Sequence, residues 1–222
     1  MNTQLIRTDD GSHTLFVPSL NEHYHSTFGA IRESTHIFIN AGFHAAKVQG
    51  TPLNIFEAGF GTGLNAFLTL REAENSVIPV HYTTIEAFPL EEAVTRSLNY
   101  PDLLGENGPS SFRDIHNAAW EKEIRISDHF TLLKIHDKLE NHLLPHESYH
   151  LVYFDAFGPD VQPELWTETI FTKLYQALKP GGILVTYSVK GSVKRALRSA
   201  GFLVEKLPGP PGKREITRAS KK

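Results

Sequence analysis

Apolar positions along this chain switch between two periods. Leu53-Asn54-Ile55-Phe56 is a short apolar run that closes on an acid, Glu57. Three glycines follow at alternate positions, Gly59, Gly61 and Gly63, and then Leu64, Phe67, Leu68 and Leu70 recur at helical spacing. That order predicts a strand, a tight turn and a helix. Further short runs predict strands at Val77–Ile85, at Phe130–Leu133 leading into His136-Asp137, at Leu151–Phe154 and at Ile183–Ser188. Between them, helical spacing predicts a helix from Phe88-Pro89-Leu90 through Leu98 and a short one over Lys138–Leu143. A longer helix starts at Pro163, has Leu165, Trp166, Ile170, Phe171, Leu174 and Leu178 as its stripe, and stops at Lys179-Pro180-Gly181-Gly182. Ser192 is expected to cap a helix to Ala200, with Gly201 after it. Residues 100–118, rich in Gly, Pro, Asn and Ser, are expected to form a long connection.

The two ends of the chain complete the outline. Gln4–Arg7 and His13–Val17 flank Asp10-Gly11, a hairpin signal, and a helix is expected from Ser34. Gly50-Thr51-Pro52 reads as the turn into the first core strand. Phe202–Leu207 and Glu215–Ala219 are expected to pair around a Pro- and Gly-rich turn. The expected fold is therefore α/β, a mostly parallel sheet with one antiparallel strand, preceded by a small N-terminal β-extension. We divide it into an extension with its helix over 1–45 and the main domain over 46–222.

Composition narrows the class. The chain has 222 residues, 40% of them hydrophobic, within the range of one α/β domain. It contains no cysteine, which excludes disulfides, thiolate metal sites and Cys nucleophiles and fits a cytoplasmic protein. No apolar run reaches the length of a membrane span, and the first residues lack the apolar core of a secretory signal. His142, His146 and His150 are four apart, but Pro145 interrupts any helix there and no metal site is expected. The net charge of −3 is unevenly spread: residues 190–222 hold ten Lys/Arg against two acids, a net +8, and the remainder carries −11. This suggests a basic surface meeting a polyanion. Lys190, Lys194, Arg195, Lys213 and Arg214 are its candidates, and Lys221 and Lys222 read as a solvated tail.

The glycine turn defines the candidate chemistry. A dinucleotide fingerprint requires a small residue where Leu64 stands, so a NAD-dependent oxidoreductase is disfavoured. The pattern is instead E-x-G-x-G-x-G, and an acid before the turn would repel a pyrophosphate but suit a ligand with an ammonium group. The methionine end of S-adenosylmethionine is such a ligand. Glu86, at the end of the second strand, is placed to accept ribose hydroxyls. Asp137 can accept from an adenine amino group or cap the helix expected over 138–143. Asp155 ends the strand Leu151–Phe154, where open α/β sheets bind ligands. Glu33 and Tyr24 could border the site, though pattern alone favours a structural reading.

The stretches EAGFGTGLNAFLTL, TIEAFPL, YFDAFGPDVQPELW, KPGGILVTYS and KREITRA together resemble the methyltransferase domain of the MnmC-type tRNA 5-methylaminomethyl-2-thiouridine biosynthesis proteins. The resemblance runs from about Tyr24 to Ala219. It implies a class I, Rossmann-like methyltransferase fold that transfers methyl from S-adenosylmethionine to the amine of 5-aminomethyl-2-thiouridine at the wobble position of tRNA, leaving S-adenosylhomocysteine. Carried across, Glu57, Gly59, Phe60, Gly61, Thr62 and Gly63 would hold the methionine moiety, Glu86 the ribose and Asp137 the adenine. Asp155 would face the amine. Phe157 and Pro159 would border the nucleotide, with Trp166 and Phe88 either stacking or packing. The resemblance also implies the stand-alone form, without FAD or metal, and a separate enzyme upstream that supplies the aminomethyl group. Val161-Gln162 stands where the family often carries Lys-Asn, which removes a lysine contact from that loop. A small-molecule methyltransferase and a non-catalytic tRNA-binding relative are the remaining alternatives.

Overall fold

The computed structural model describes residues 2–46, 52–105 and 108–222. Gly50 and Thr51 of the expected entry turn lie outside them. Strands β1 (Gln4–Arg7), β2 (His13–Val17) and β3 (Glu22–His23) form a small antiparallel sheet. Helix α1 (Ala30–Ser34) follows and continues as π-helical turns over Thr35–Phe43. Ser34 lies inside α1, buried and without a capping bond, because the helix begins one turn earlier than its hydroxyl suggested.

The main sheet is then built from β4 (Leu53–Ala58), α2 (Leu64–Ser76), β5 (Val80–Ile85), α3 (Glu92–Thr95), α4 (Tyr100–Leu104), α5 (Gly108–Asn117), β6 (Glu123–Arg125) and β7 (Phe130–Ile135). It continues through β8 (Tyr149–Phe154), a 3-10 turn at Pro163–Trp166, α6 (Glu168–Ala177), β9 (Leu178–Thr186), α7 (Gly191–Ser199), β10 (Leu203–Pro208) and β11 (Glu215–Ser220). Its order is β10-β11-β9-β8-β4-β5-β7-β6. Strands β9, β8, β4, β5 and β7 pair in parallel, and β11 is the expected antiparallel strand. A second one, β6, which the pattern did not announce, pairs with β7 at the other edge.

Parallel strands are covered on both faces, which is why β4 and β8 are buried along almost their whole length. One face packs against the helical turns of 35–43, α2, α4 and α5; the other packs against α6 and α7. From β4 the chain steps to β5 in one direction, and from β8 it steps to β9 in the other. The sheet therefore reverses direction between β4 and β8, and the carboxyl ends of those two strands open a crevice.

Several expected elements differ, each for a visible reason. Residues 100–118 hold α4 and α5 rather than a loop. Pro101 is tolerated in a first helical turn, and Tyr100, Phe112 and Ile115 are buried, the Phe112 ring lying 5.9 Å from that of Tyr100 and 5.2 Å from that of Phe67 on α2. The helix expected over Phe88–Leu98 shrinks to α3, since Pro89 disfavours helical Phe88 and the Glu86 carboxylate accepts the Phe88 N–H at 2.9 Å. Lys138–Leu143 is a turn, its carbonyls taken by the Lys173 ammonium, which donates to Leu139, Glu140 and His142. The helix expected from Pro163 is broken by extended Thr167, whose hydroxyl accepts from Ile170 N–H and starts α6. Leu178–Gly182 belong to β9. Ser192 lies within α7, whose N-cap is Lys190. Lys221 is buried, its ammonium donating to Leu178 O at 2.8 Å and meeting Glu147 at 3.1 Å.

Val77, expected to open a strand, instead ends α2 in the left-handed conformation, φ 54°, and is 67% exposed. A β-branched residue is strained there. Val77→Gly is therefore expected to raise stability by about 1 kcal/mol. Urea unfolding would show a higher midpoint at unchanged slope; an unchanged or lower midpoint contradicts the strain.

Candidate functional site

The crevice between β4 and β8 holds a cavity of about 640 Å³. Its floor is the Gly59–Thr62 turn that joins β4 to α2. The turn is made by positive φ at Gly59, Gly61 and Gly63. At Gly59, φ 93°, an added Cβ would lie 2.8 Å from the Asp155 carbonyl, so only glycine lets β4 and β8 approach this closely. At Gly63 an added Cβ would meet His116 Nε2 at 2.8 Å.

One end of the cavity is formed by strand tips carrying acids. Glu86 follows β5; its Oε2 accepts from Gly61 N–H at 3.0 Å and its Oε1 from Phe88 N–H. The acid is thereby tied to the glycine turn and to the loop that would flank a planar base. Asp137 follows β7, with Oδ1 accepting from Lys138 N–H at 2.7 Å and Oδ2 3.3 Å from His142 Nδ1. Turn capping and a place in the cavity wall thus coexist at Asp137. Phe88 lines the same end and is exposed.

At the other end Asp155 extends from the tip of β8. Its backbone N–H donates to Ala58 O at 3.0 Å, and its Oδ2 accepts from Asn65 Nδ2 at 2.8 Å. Burial pushes the Asp155 carboxyl up to about 7. The Asn65 bond opposes this, the Glu33 charge adds to it, and the Lys213 charge opposes it. Phe157 lines the cavity with its ring edge-on to Tyr24, centroids 5.0 Å apart. Its backbone is pinned by Gln162 Oε1 and by the Trp166 indole N–H, at 3.0 and 2.7 Å. Trp166 is therefore a buried brace rather than a stacking platform. Tyr187 OH donates to Ala156 O at 2.9 Å.

Of the residues expected here, Gly59, Phe60, Gly61, Thr62, Glu86, Asp137, Asp155, Phe157 and Lys213 line this one cavity. Glu57, Gly63, Pro159, Lys190, Lys194, Arg195 and Arg214 lie outside its lining. Glu57 sits beneath the turn with 0% exposure. Its Oε2 accepts from Thr84 Oγ1 at 2.8 Å, and its Oε1 has no hydrogen-bond partner among the described residues. Burial pushes it up to about 8 against the Thr84 bond. Lys190 pairs with Asp160, whereas Lys194, Arg195 and Arg214 enter no ion pair among the described residues.

Residues that pattern did not commit to the site complete the lining. Tyr24 and Glu33, for which pattern favoured a structural role over bordering the site, enter from the N-terminal segment. Asn65, Gln162 and Tyr187 hold Asp155 and its turn. Asn65 follows the glycine turn by only two positions, and that spacing was the one available signal.

The lining carries seven carboxylates against two lysines, so its field favours a cation. A sulfonium donor with a free ammonium meets that condition, and the glycine turn leaves the room a Cβ would fill. Among the described residues no group of three or more His, Asp or Glu is arranged to hold a metal.

Comparison with known proteins agrees with this geometry. The chain is 30% identical to the tRNA 5-methylaminomethyl-2-thiouridine biosynthesis bifunctional protein MnmC of Magnetococcus marinus, over 98% of this chain and 34% of that protein. It is 32% identical to the protein so named in Ectopseudomonas mendocina, over 89% of this chain and 32% of the relative. It thus spans about a third of the length of the curated relatives it matches. The crystal structure of MNMC2 from Aquifex aeolicus superposes with a TM-score of 0.82 at 26% identity, covering 100% of this chain and 70% of that one. Spermidine synthase from Thermotoga maritima, at 14% identity and a TM-score of 0.59, shares the fold. Residues 111–222, just over half of the chain, match a family model described as S-adenosyl-L-methionine-dependent methyltransferase, and the chain belongs to that family.

Proposed function

We propose that this chain methylates the primary amine of 5-aminomethyl-(2-thio)uridine at the wobble position of tRNA, forming the 5-methylaminomethyl nucleoside and S-adenosylhomocysteine. The observation that carries the reading is the correspondence of the whole chain with the Aquifex aeolicus MNMC2 structure. The position of Asp155 at the strand reversal supports it.

When bound, S-adenosyl-L-methionine supplies an electrophilic methyl group on a sulfonium. The residues of this chain position and desolvate. Glu86 would receive the ribose hydroxyls and Asp137 the adenine amino group, each already at the cavity wall. The Gly59–Thr62 turn would hold the methionine end, with Glu57 buried beneath it and bonded to Thr84. Asp155 Oδ2 is occupied by Asn65, which leaves Oδ1 to accept an N–H of the acceptor amine. There it takes one proton from the ammonium form of the acceptor and orients the freed lone pair; the methylated product leaves as a secondary ammonium, so no second proton transfer is needed. Wobble bases in single-stranded loops are splayed out and stacked on aromatics, a role suited to Phe157 and Tyr24. The other component would be the anticodon loop of tRNA, after an upstream enzyme has installed the aminomethyl group.

The test is methyl transfer from labelled donor to tRNA carrying 5-aminomethyluridine, beside a panel of small amines that the acidic cavity would also admit. Transfer to the panel but not to tRNA overturns the reading; donor calorimetry without any binding overturns catalysis altogether. Arg195 and Arg214, exposed and in no ion pair among the described residues, are assigned to the tRNA backbone. Replacing both with Gln is expected to weaken tRNA binding and flatten its log–log salt dependence by about 1–2. An unchanged slope removes them from the interface.

A further inference from the structure

Two residues from opposite ends of the chain meet at the Asp155 end of the cavity. Glu33, on α1, is 8% exposed; its Oε2 accepts from Ser26 N–H at 2.8 Å, and its Oε1 lies 2.7 Å from Lys213 Nζ. Lys213 sits in the turn between β10 and β11, its ammonium 4.3 Å from the centroid of the Tyr187 ring. That turn is itself built: Lys213 N–H donates to Pro210 O, Gly209 N–H donates to Arg214 O, and Phe28 packs against Gly212. The backbone on both sides is thus held while the charged heads depend on one another. Both line the cavity.

A partly buried ion pair of this kind contributes little net stability, because desolvation offsets its attraction. Its heads can therefore change partners at small cost when a ligand offers equivalent ones. A nucleotide bearing an alkylamine offers both, an ammonium at its reactive end and a phosphate in its backbone. We propose that Glu33 and Lys213 recognise the acceptor by exchanging partners, the acceptor ammonium taking the Glu33 carboxylate and the freed Lys213 taking a phosphate. This rests on the nucleotide acceptor proposed above. Charge is conserved, since one neutral pair becomes two. The exchange brings the amine beside Asp155, where it gives up its proton.

The groups facing Asp155 are Glu33 from α1, Lys213 from the β10–β11 turn, Glu57 from β4, Tyr187 after β9 and Tyr82 from β5. Glu33 raises the proton affinity of Asp155 and Lys213 lowers it. The two single variants should therefore move the acid limb of kcat in opposite directions, Glu33→Gln to lower pH and Lys213→Met to higher pH.

The experiment compares wild type, Glu33→Gln, Lys213→Met, the double variant and Lys213→Arg on tRNA carrying 5-aminomethyluridine. Donor affinity is measured by calorimetry. Gln at position 33 can still accept the Ser26 N–H, which separates charge from bracing. Each single variant is expected to lose ~10–100-fold in kcat/KM for tRNA with donor Kd within about twofold. The double variant should be no worse than the weaker single one, and Lys213→Arg should retain most of the rate. Wild-type kcat/KM in both single variants, or acid limbs moving the same way, overturns the exchange and leaves the proposed activity standing. If wild type binds donor but methylates no such tRNA, the proposed activity falls first and the exchange with it.

Discussion

Asp155→Asn is expected to lower kcat for amine methylation by about 10²–10⁴-fold while leaving donor affinity within a few-fold. The change is isosteric, so β8, the Ala58 contact and the cavity shape remain. Two things are lost. Asn cannot take a proton from the amine, and its amide places a donor where the structure supplies an acceptor beside Asn65 Nδ2. In wild type, burial holds Asp155 near 7, so the fraction ionised grows through neutral pH. The rate should rise through that range and level above it, and the residual activity of the Asn variant should lack this limb. Single-turnover methylation beside donor calorimetry decides it. A variant with the wild-type rate would reduce Asp155 to a brace for its turn.

A second large effect concerns stability and its sign with pH. Glu57 ordinarily ionises near 4.5, and burial raises it to about 8 in the folded chain. Between those values the native state keeps a proton the unfolded chain has released. Stability therefore falls as pH rises through the window, by up to ~1.4 kcal/mol per unit for this group. Asp155 contributes the same sign from 3.8 to about 7. These two carboxyls make the free protein less stable at pH 8.5 than at pH 5, opposed below pH 6.5 by His25 and His116, which burial lowers to about 4. Glu57→Gln keeps the Thr84 bond, removes the penalty of the charge and should be about 2 kcal/mol more stable than wild type at pH 8.5. Its stability should be nearly level between pH 7 and 8.5, where the parent still declines. Urea unfolding across pH 5–8.5 measures this, and parallel curves for the two proteins would show that Glu57 does not hold its proton.

Much of the site is legible in the chain because it is local. The apolar run of β4, the glycines at 59, 61 and 63 and the helical spacing from Leu64 lie within eighteen residues, and strand tips announce Glu86, Asp137 and Asp155 by their place after apolar runs. Where local composition and burial disagree, composition misleads. Residues 100–118 have the Gly and Pro content of a loop, yet Tyr100, Phe112 and Ile115 are buried, Phe112 against Phe67 of α2, and α4 and α5 form. Lys221 looks like a solvated tail until its ammonium reaches Leu178 O and Glu147.

By itself the sequence determined the strand–turn–helix unit, the mostly parallel order and the acids at the strand ends. Each of these follows from periodicity, from glycine's conformational freedom and from the burial of both faces of a parallel sheet. Only the tertiary structure decided what surrounds the acids. It set Glu57 beneath the floor, and it drew Tyr24 and Glu33 from one end of the chain and Lys213 from the other into the lining of one cavity. Contacts between residues 180 positions apart leave no periodic trace. They arise when the β10–β11 turn and the N-terminal segment close over the same crevice, and packing, not pattern, fixes which side chains then meet.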